Sequence, residues 1–140
     1  MCVADHELLA LEQGVRLVLD LPASAARVTG DHHRLGQAIT NLLSNAIKVS
    51  PPGADVTIVV QCAEHLAVVE VADHGAGIAA DIRDSLFEPF ATKHRSTAQG
   101  SSGLGLAIVR AIVHQHQGEV TFETSSAGTT FRMELPTAAG

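Results

Sequence analysis

The sequence predicts a two-layer α/β sandwich, and three observations support that prediction. Two segments with helical apolar spacing, 31–50 and 104–117, are interspersed with short runs rich in β-branched residues. The chain has 140 residues, enough for one domain with a sizeable core, and it shows no repeat or linker. Hydrophobic residues make up 46% of it and charged residues 17%, which is typical of a globular domain. Residues 1–140 are therefore predicted to form a single domain.

The composition also argues against several classes of protein. Because aromatic residues make up only 3%, the core must consist of Val, Ile, Leu and Ala, and the net charge of -6 gives little support to a nucleic-acid partner. Cys2 and Cys62 fit no metal or redox spacing, which predicts two free thiols in a reducing compartment. No apolar run reaches the roughly 18 residues of a membrane helix. We therefore expect a cytoplasmic domain without direct membrane contact, although its parent protein can still be membrane-anchored.

Five segments predict strands. Residues 14–21 alternate in part between apolar and polar side chains and stop at Pro22. Two later runs, 55–62 and 66–73, are rich in β-branched residues, and residues 119–124 and 129–135 predict two further strands around the turn 125–128. The short link 63–65 predicts a hairpin between the first two of these runs, and the last two form a closing pair.

Two segments predict the principal helices. Asp31 can cap a long helix that runs to about Ser50, where Pro51, Pro52 and Gly53 end it. Residues 104–117 are apolar nearly all round a helix, which predicts a deeply buried one. The remaining segments are connections or ends: a glycine turn at 75–78, a short helix at 80–85, a mobile loop at 91–102 and a frayed tail at 136–140.

A polar stripe borders the apolar face of the first predicted helix and consists of Arg34, Asn41, Asn45 and Lys48. At 100° per residue, the apolar face itself consists of Leu35, Ala38, Ile39, Leu42, Ala46 and Val49. Two amide oxygens and an ammonium group presented to one point can hold a hydrated Mg²⁺ and a phosphate chain. The alternative is a solvated helix flank, but Asn is a poor helix former, and two of them inside a helix disfavour a purely structural explanation.

Asp73 stands at the end of a predicted strand, directly before Gly75 and Gly77. A carboxylate there can accept a hydrogen bond from the exocyclic amine of adenine, and the glycines let the backbone approach a flat base. An ordinary Asp-Gly turn between strand and helix is the alternative, and the pattern in isolation favours it.

A second glycine-rich segment, residues 100–106, opens the second predicted helix. Its free N–H groups and the helix dipole make an anion site, and Gly103 and Gly105 indicate a close approach because glycine disfavours a helix. A flexible loop before a helix is the alternative. The preceding loop carries Lys93, His94 and Arg95, which can form a lid over phosphates or remain solvated charges. Phe87 and Phe90 can anchor one hinge of that loop, and simple core packing explains them equally well.

Four segments in order, N-L-L-S-N-A-I-K, D-H-G-A-G-I, F-E-P-F and G-S-S-G-L-G-L, precede a closing G-T-T-F-R-M-E-L-P. From about Arg16 to Pro136, the sequence resembles the catalytic and ATP-binding domain of sensor histidine kinases, within the GHKL ATPase superfamily. The resemblance implies a mixed, mostly antiparallel sheet of about five strands with helices on one face. It also implies that the phosphoacceptor and sensor domains are absent from this chain.

The resemblance implies ATP and Mg²⁺ as cofactors and gives each motif residue a role. Asn45 would coordinate Mg²⁺ with help from Asn41, Lys48 would contact phosphate, and Asp73 would hold the adenine amine. The supporting positions are Gly75 and Gly77 in the adenine pocket, Thr129 near the adenine end, Lys93 in the lid, and Gly103, Leu104, Gly105 and Leu106 at the phosphates. The implied partners are the histidine-containing acceptor and dimerisation domain of the parent kinase and, indirectly, a response regulator.

The chain departs from the family pattern at two places. Val49 follows Lys48 where the family often has an aromatic residue or His beside the base, so we expect modest nucleotide affinity. His6, Glu7 and Leu8 echo the acceptor motif, but Leu9 and Ala10 follow where Arg-Thr-Pro should stand. We therefore interpret His6 as an exposed terminal residue.

Asn41 separates the possible reactions. Relatives that hydrolyse ATP or phosphorylate serine usually place a Glu four residues before the metal-binding Asn, as a general base. Asn41 cannot accept a proton, which fits transfer to an imidazole, a nucleophile that needs little deprotonation when neutral. A regulatory nucleotide-binding module without transfer activity is the remaining alternative.

Overall fold

The structure, a computed structural model, describes residues 11–12, 14–20, 32–63, 65–80, 83, 86–87 and 105–137. The helices and strands within these ranges are β1 (Arg16–Asp20), α1 (His32–Val49), β2 (Asp55–Ala63), β3 (Leu66–Ala72), α2 (Gly105–Gln115), β4 (Glu119–Ser125) and β5 (Gly128–Pro136). Each was predicted from the sequence, and every observed boundary falls within about two residues of the predicted one.

All five strands form one sheet in the order β1-β2-β3-β5-β4. β1 runs parallel to β2, and the other three pairs are antiparallel. The predicted mixed, mostly antiparallel sheet is therefore confirmed. Val71 pairs with Ile58 on one side and with Phe131 on the other, and Phe131 pairs with Phe122. Because directly opposed residues point to the same face, this register builds one continuous apolar face.

Both helices contribute to the core that covers this face. The buried side chains come from α1, α2 and alternate positions of the strands: Ala38, Leu42, Leu43, Ala46, Ile47, Val56, Ile58, Val69, Val71, Val109, Ile112, Val113, Val120, Phe131, Met133 and Leu135. Phe87 packs its ring 6.0 Å from that of Phe122 and 6.2 Å from that of Phe131. Core packing therefore accounts for Phe87, whereas Phe90 lies outside the described residues.

The apolar face predicted for α1 is partly wrong. Val49 is 44% exposed, whereas Leu43 and Ile47, which were not assigned to that face, are fully buried. The reason is that α1 contacts α2 as well as β2 and β3, so a wider arc of the helix is covered than one neighbour would cover.

The expectation that α2 is buried all round is also wrong. Val109, Ile112 and Val113 are buried, but Arg110 and His114 are exposed. In a two-layer fold the helices cover the sheet on one side and meet solvent on the other, so α2 keeps an exposed flank.

Several predictions concern positions outside the described residues. They are His6, the cap at Asp31, most of the short helix at 80–85, the loop at 91–102 with Lys93, and Gly103 and Leu104. Across the described ranges, no helix is both long and apolar enough to span a membrane.

The packing predicts a large difference between two leucines. Leu42 is fully buried in α1 and Leu19 is 43% exposed on the edge strand β1. We expect Leu42→Ala to lower the free energy of unfolding by about 2–5 kcal/mol because it leaves a cavity. Leu19→Ala should change it by about 0.5 kcal/mol or less. Urea unfolding followed by circular dichroism measures both, and equal losses would contradict the described core.

Candidate functional site

Asp73 directly follows β3, on the helix-facing side of the sheet, and is only 5% exposed. Its Oδ1 accepts hydrogen bonds from the backbone N–H of Gly75, at 2.9 Å, and of Thr129, at 3.1 Å. The first bond closes the predicted Asp-Gly turn, and the second joins that turn to β5. No group in the described part of the chain donates to Oδ2. One oxygen of this carboxylate therefore maintains the fold while the other remains available to a ligand.

Burial raises the pKa of the Asp73 carboxyl above its ordinary value. The hydrogen bonds from Gly75 and Thr129 and the nearby His74 act in the opposite direction without cancelling the loss of hydration. A group that has lost water but retains an available acceptor oxygen is suited to a directional hydrogen bond from a ligand.

A row of polar side chains crosses the sheet at this end and interrupts the apolar face. Asp73, Thr129 and Thr124 belong to the ends of three neighbouring strands, β3, β5 and β4. The hydroxyl oxygens of Thr129 and Thr124 lie 2.8 Å apart and share a hydrogen bond. The backbone N–H of Ile78 donates to the Thr124 hydroxyl at 2.9 Å. These contacts make one connected network around residues 73–78.

Gly75 and Gly77 allow the turn to fit between α1 and β4. A Cβ at Gly75 would lie 2.9 Å from the carbonyl oxygen of Val49, at the end of α1. Gly77 has a φ of +90°, and a Cβ there would overlap the carbonyl oxygen of Ser125. The chain's own backbone therefore explains both glycines, and their predicted approach to an adenine base remains a prediction.

The polar stripe of α1 connects the two predicted ends of the site. Asn41 donates from its side-chain amide to the carbonyl oxygen of Gly105, at 3.4 Å, where α2 begins. Two turns of helix further on, Val49 contacts Gly75 beside Asp73. Asn45 and Lys48 lie between these points, partly exposed, and neither forms a hydrogen bond or ion pair with the described chain. The structure therefore places the stripe between the start of α2 and the Asp73 turn.

An open groove of about 420 Å³ reaches Asp73 and Thr129 from the side of the β4–β5 turn. Its lining residues are Ala72, Asp73, His74, Glu123, Thr124, Ser125, Ala127, Gly128, Thr129 and Thr130. None of them belongs to α1 or α2, so this groove does not unite all the predicted site residues. Of the second glycine-rich segment, Gly105 and Leu106 are described at the start of α2, and Leu106 packs against the core.

Sequence reasoning missed Thr124. The alternation of β4 contains the signal, because Val120, Phe122 and Thr124 occupy every second position and Thr124 alone is polar. A hydroxyl at an inward position of a strand needs a partner, and here the partners are Ile78 and Thr129.

The fold is thus an α/β sandwich whose polar end lies beside the amide stripe of α1. Residues 30–139 match the family model described as histidine kinase-, DNA gyrase B- and HSP90-like ATPase. The chain therefore belongs to this ATPase family, and membership implies ATP as its nucleotide.

Among curated proteins, the chain is 42% identical over 127 residues to the sensor histidine kinase TrcS of Mycobacterium tuberculosis, covering 86% of this chain and 25% of TrcS. It is 37% identical over 132 residues to the sensor histidine kinase CusS of Escherichia coli O157:H7, covering 93% of this chain and 27% of CusS. The chain thus spans about a quarter of the length of these relatives.

Two solved structures share the fold. The mycobacterial sensor histidine kinase MprB has a TM-score of 0.82 at 30% identity, covering 99% of this chain and 95% of that chain. Full-length ShkA in complex with AMPPNP has a TM-score of 0.85 at 27% identity, covering 99% of this chain and 29% of that chain. The predicted resemblance to the catalytic domain of sensor histidine kinases is confirmed.

The burial of Asp73 predicts a pH dependence of stability. The raised pKa means that the folded state holds the proton more firmly than the unfolded state. This contribution is fully present below the ordinary carboxyl value of 3.8 and is lost as pH rises towards the folded pKa. Asp73→Asn keeps an oxygen for the N–H groups of Gly75 and Thr129 but does not titrate.

We therefore expect the stability of the wild type relative to Asp73→Asn to fall as pH rises through that interval and then to level off. Urea unfolding at a series of pH values measures it. Asp20→Asn on the exposed edge strand β1 removes the same charge without burial and serves as the control. If the stability of the wild type relative to Asp73→Asn instead grew with rising pH, the surroundings of Asp73 would stabilise its charged form, which would contradict a raised pKa.

Proposed function

We propose that this domain binds Mg-ATP at the Asp73 end of the sheet and donates the γ-phosphoryl group to a histidine on a separate acceptor domain. The observation that supports it best is the hydrogen bond from Asn41 to Gly105. This bond brings the amide stripe of α1 to the start of α2. The residue that makes it, Asn41, has a side-chain amide that cannot act as a general base.

Asp73 would recognise the adenine ring. Its Oδ2 has no donor in the described chain and can accept from the exocyclic amine of adenine, whereas guanine presents a carbonyl oxygen there. Thr129 lies beside Asp73, because its backbone N–H donates a hydrogen bond to Asp73 Oδ1. Gly75 and Gly77 shape the turn next to the base.

The phosphate chain would lie between α1 and the start of α2. Asn45, with help from Asn41, offers the neutral oxygens that suit a partly hydrated Mg²⁺, and Lys48 offers an ammonium group that has no partner among the described residues. When bound, Mg²⁺ would neutralise part of the negative charge on the phosphates. The N–H groups that open α2 favour an anion. We propose that Gly103, Leu104, Gly105 and Leu106 bind phosphate there and that Lys93 also contacts phosphate.

Histidine is the acceptor that these side chains favour. Asn41 cannot serve as a general base, and a neutral imidazole is already nucleophilic, so the domain need only bind and orient the donor. The names of TrcS, CusS and MprB, all sensor histidine kinases, and the AMPPNP complex of ShkA support this choice. The direct partner would be the acceptor and dimerisation domain of the parent kinase, and a response regulator would be an indirect partner. The domain would lie in the cytoplasm.

Two measurements test the proposal together. Isothermal titration with Mg-ATP should show binding, and radiolabelled ATP should label a separately supplied acceptor domain in the presence of the chain. No binding at millimolar Mg-ATP would overturn the proposal. Binding without transfer to any acceptor would replace it with a regulatory nucleotide-binding module.

Asn45→Ala should abolish phosphoryl transfer because it removes the principal proposed oxygen ligand of Mg²⁺. Asn45 is only partly buried and has no partner in the described chain, so the unfolding temperature should stay nearly unchanged. Gln115→Ala, at the exposed far end of α2, removes an amide away from the stripe and should leave transfer intact. Persistent transfer by Asn45→Ala would show that the metal assignment is wrong.

Val49→Tyr should strengthen ATP binding. Val49 is 44% exposed and contacts Gly75 beside Asp73, so a ring there has room to stack on a bound adenine. Base stacking on an aromatic side chain contributes about 1–3 kcal/mol, which predicts roughly fivefold or greater tightening in titration. Leu19→Tyr adds the same ring at an exposed position of β1 and should leave affinity unchanged. Equal affinities for the wild type and Val49→Tyr would place the base away from Val49.

A further inference from the structure

We infer that Thr124 is a positioning residue of the nucleotide site, because its hydroxyl fixes the far end of the turn that begins at Asp73. This inference rests on the proposed function and adds a residue to it. Thr124 lies on β4, partly buried, and has no direct contact with Asp73 in the hydrogen-bond network. It acts through Ile78 and Thr129.

The turn is held at two points. At its start, Asp73 Oδ1 accepts from Thr129 N–H, and Asp73 N–H donates to the Thr129 carbonyl at 2.8 Å. At its end, Ile78 N–H donates to Thr124 Oγ1 at 2.9 Å. The 2.8 Å bond between the Thr124 and Thr129 hydroxyls joins these two points. Thr124 is thus the link through which β4 determines where residues 74–77 lie.

The glycines make such a link necessary. Gly75 and Gly77 have no Cβ to restrict their backbone, so the turn between Asp73 and Ile78 has more conformations available than other sequences would. A tether at only one end would leave the Asp73 carboxylate and the adjacent backbone free to change their relative positions. The bond from Ile78 to Thr124 removes that freedom, which preorganises the acceptor for a flat ligand.

The residue type at position 124 supports a role in the site. Val would have nearly the same shape, would suit the strand, and would continue the apolar row of Val120 and Phe122. A partly buried hydroxyl is unfavourable unless it is hydrogen-bonded. Both hydrogen bonds of the Thr124 hydroxyl go to residues of the site, Ile78 and Thr129, and neither goes to another part of the core.

The test compares Thr124→Val with Thr124→Ser in the full chain. Thr124→Val should weaken Mg-ATP binding about tenfold, because the turn must be ordered when the nucleotide binds, and the Ile78 amide should exchange with solvent much faster. Thr124→Ser keeps the hydroxyl and should stay within about twofold of the wild type. Thr121→Val, on the exposed face of the same strand, makes the same change of side chain and is the matched control.

The outcomes are distinct. If the wild type binds ATP and Thr124→Val binds it equally well, this inference alone is overturned. If Thr124→Val also loses free energy of unfolding in that case, Thr124 has a structural role only. Absence of ATP binding by the wild type overturns the proposed function and this inference with it. If Thr124→Val does not fold, Thr124→Ser and Thr124→Ala form a second pair that differs only in the hydroxyl, and equal affinities in that pair overturn the inference.

Discussion

The carboxylate of Asp73 is the interaction on which the candidate site depends. Its Oδ1 gathers two backbone N–H groups, one from its own turn and one from the start of β5. Without that oxygen, the turn and the strand would each present an unpaired N–H at a buried position. The position of Oδ2, the proposed contact for a nucleotide, is therefore a consequence of how Oδ1 is bound. The atom proposed to contact the ligand is therefore positioned by the same hydrogen bonds that join the turn to β5.

Burial gives this carboxylate two properties that oppose each other. Loss of hydration raises the pKa of Asp73 and disfavours its charged form, while the N–H groups of Gly75 and Thr129 favour it. The proposed amine of a bound base would add a further donor on the second oxygen. The stripe on α1 shows the complementary arrangement, since Asn45 and Lys48 are partly exposed and lack partners in the described chain. One end of the site is therefore buried and preorganised, and the other remains open to a hydrated ligand.

The order and type of the described elements could be predicted from the sequence because β-branched runs, glycine turns and helical spacing are local signals. Asp73 and Thr129 were both assigned to the adenine end, and the structure brings them into contact. The exposure of Val49 and the half-covered α2 could not be predicted, because both depend on how the two helices lie against the sheet and each other. Thr124 was missed although the alternation of β4 marks it, because its partner Ile78 belongs to a turn 46 residues away whose position only the folded structure shows.

The strand order has a consequence for how the domain folds. β3 lies beside β5, so the bond between Asp73 and Thr129 joins residues 56 positions apart, and β4 adds to the far side of β5. Contacts of such high sequence separation are slow to form, because the entropy of closing a long loop is lost before the contact is gained. The local β2–β3 hairpin can form early, but the proposed adenine end requires β5, the last of the described strands. During synthesis on a ribosome, the proposed nucleotide site can therefore form only after β5 has emerged, and a nucleotide bound there would stabilise only molecules in which β5 has joined the sheet.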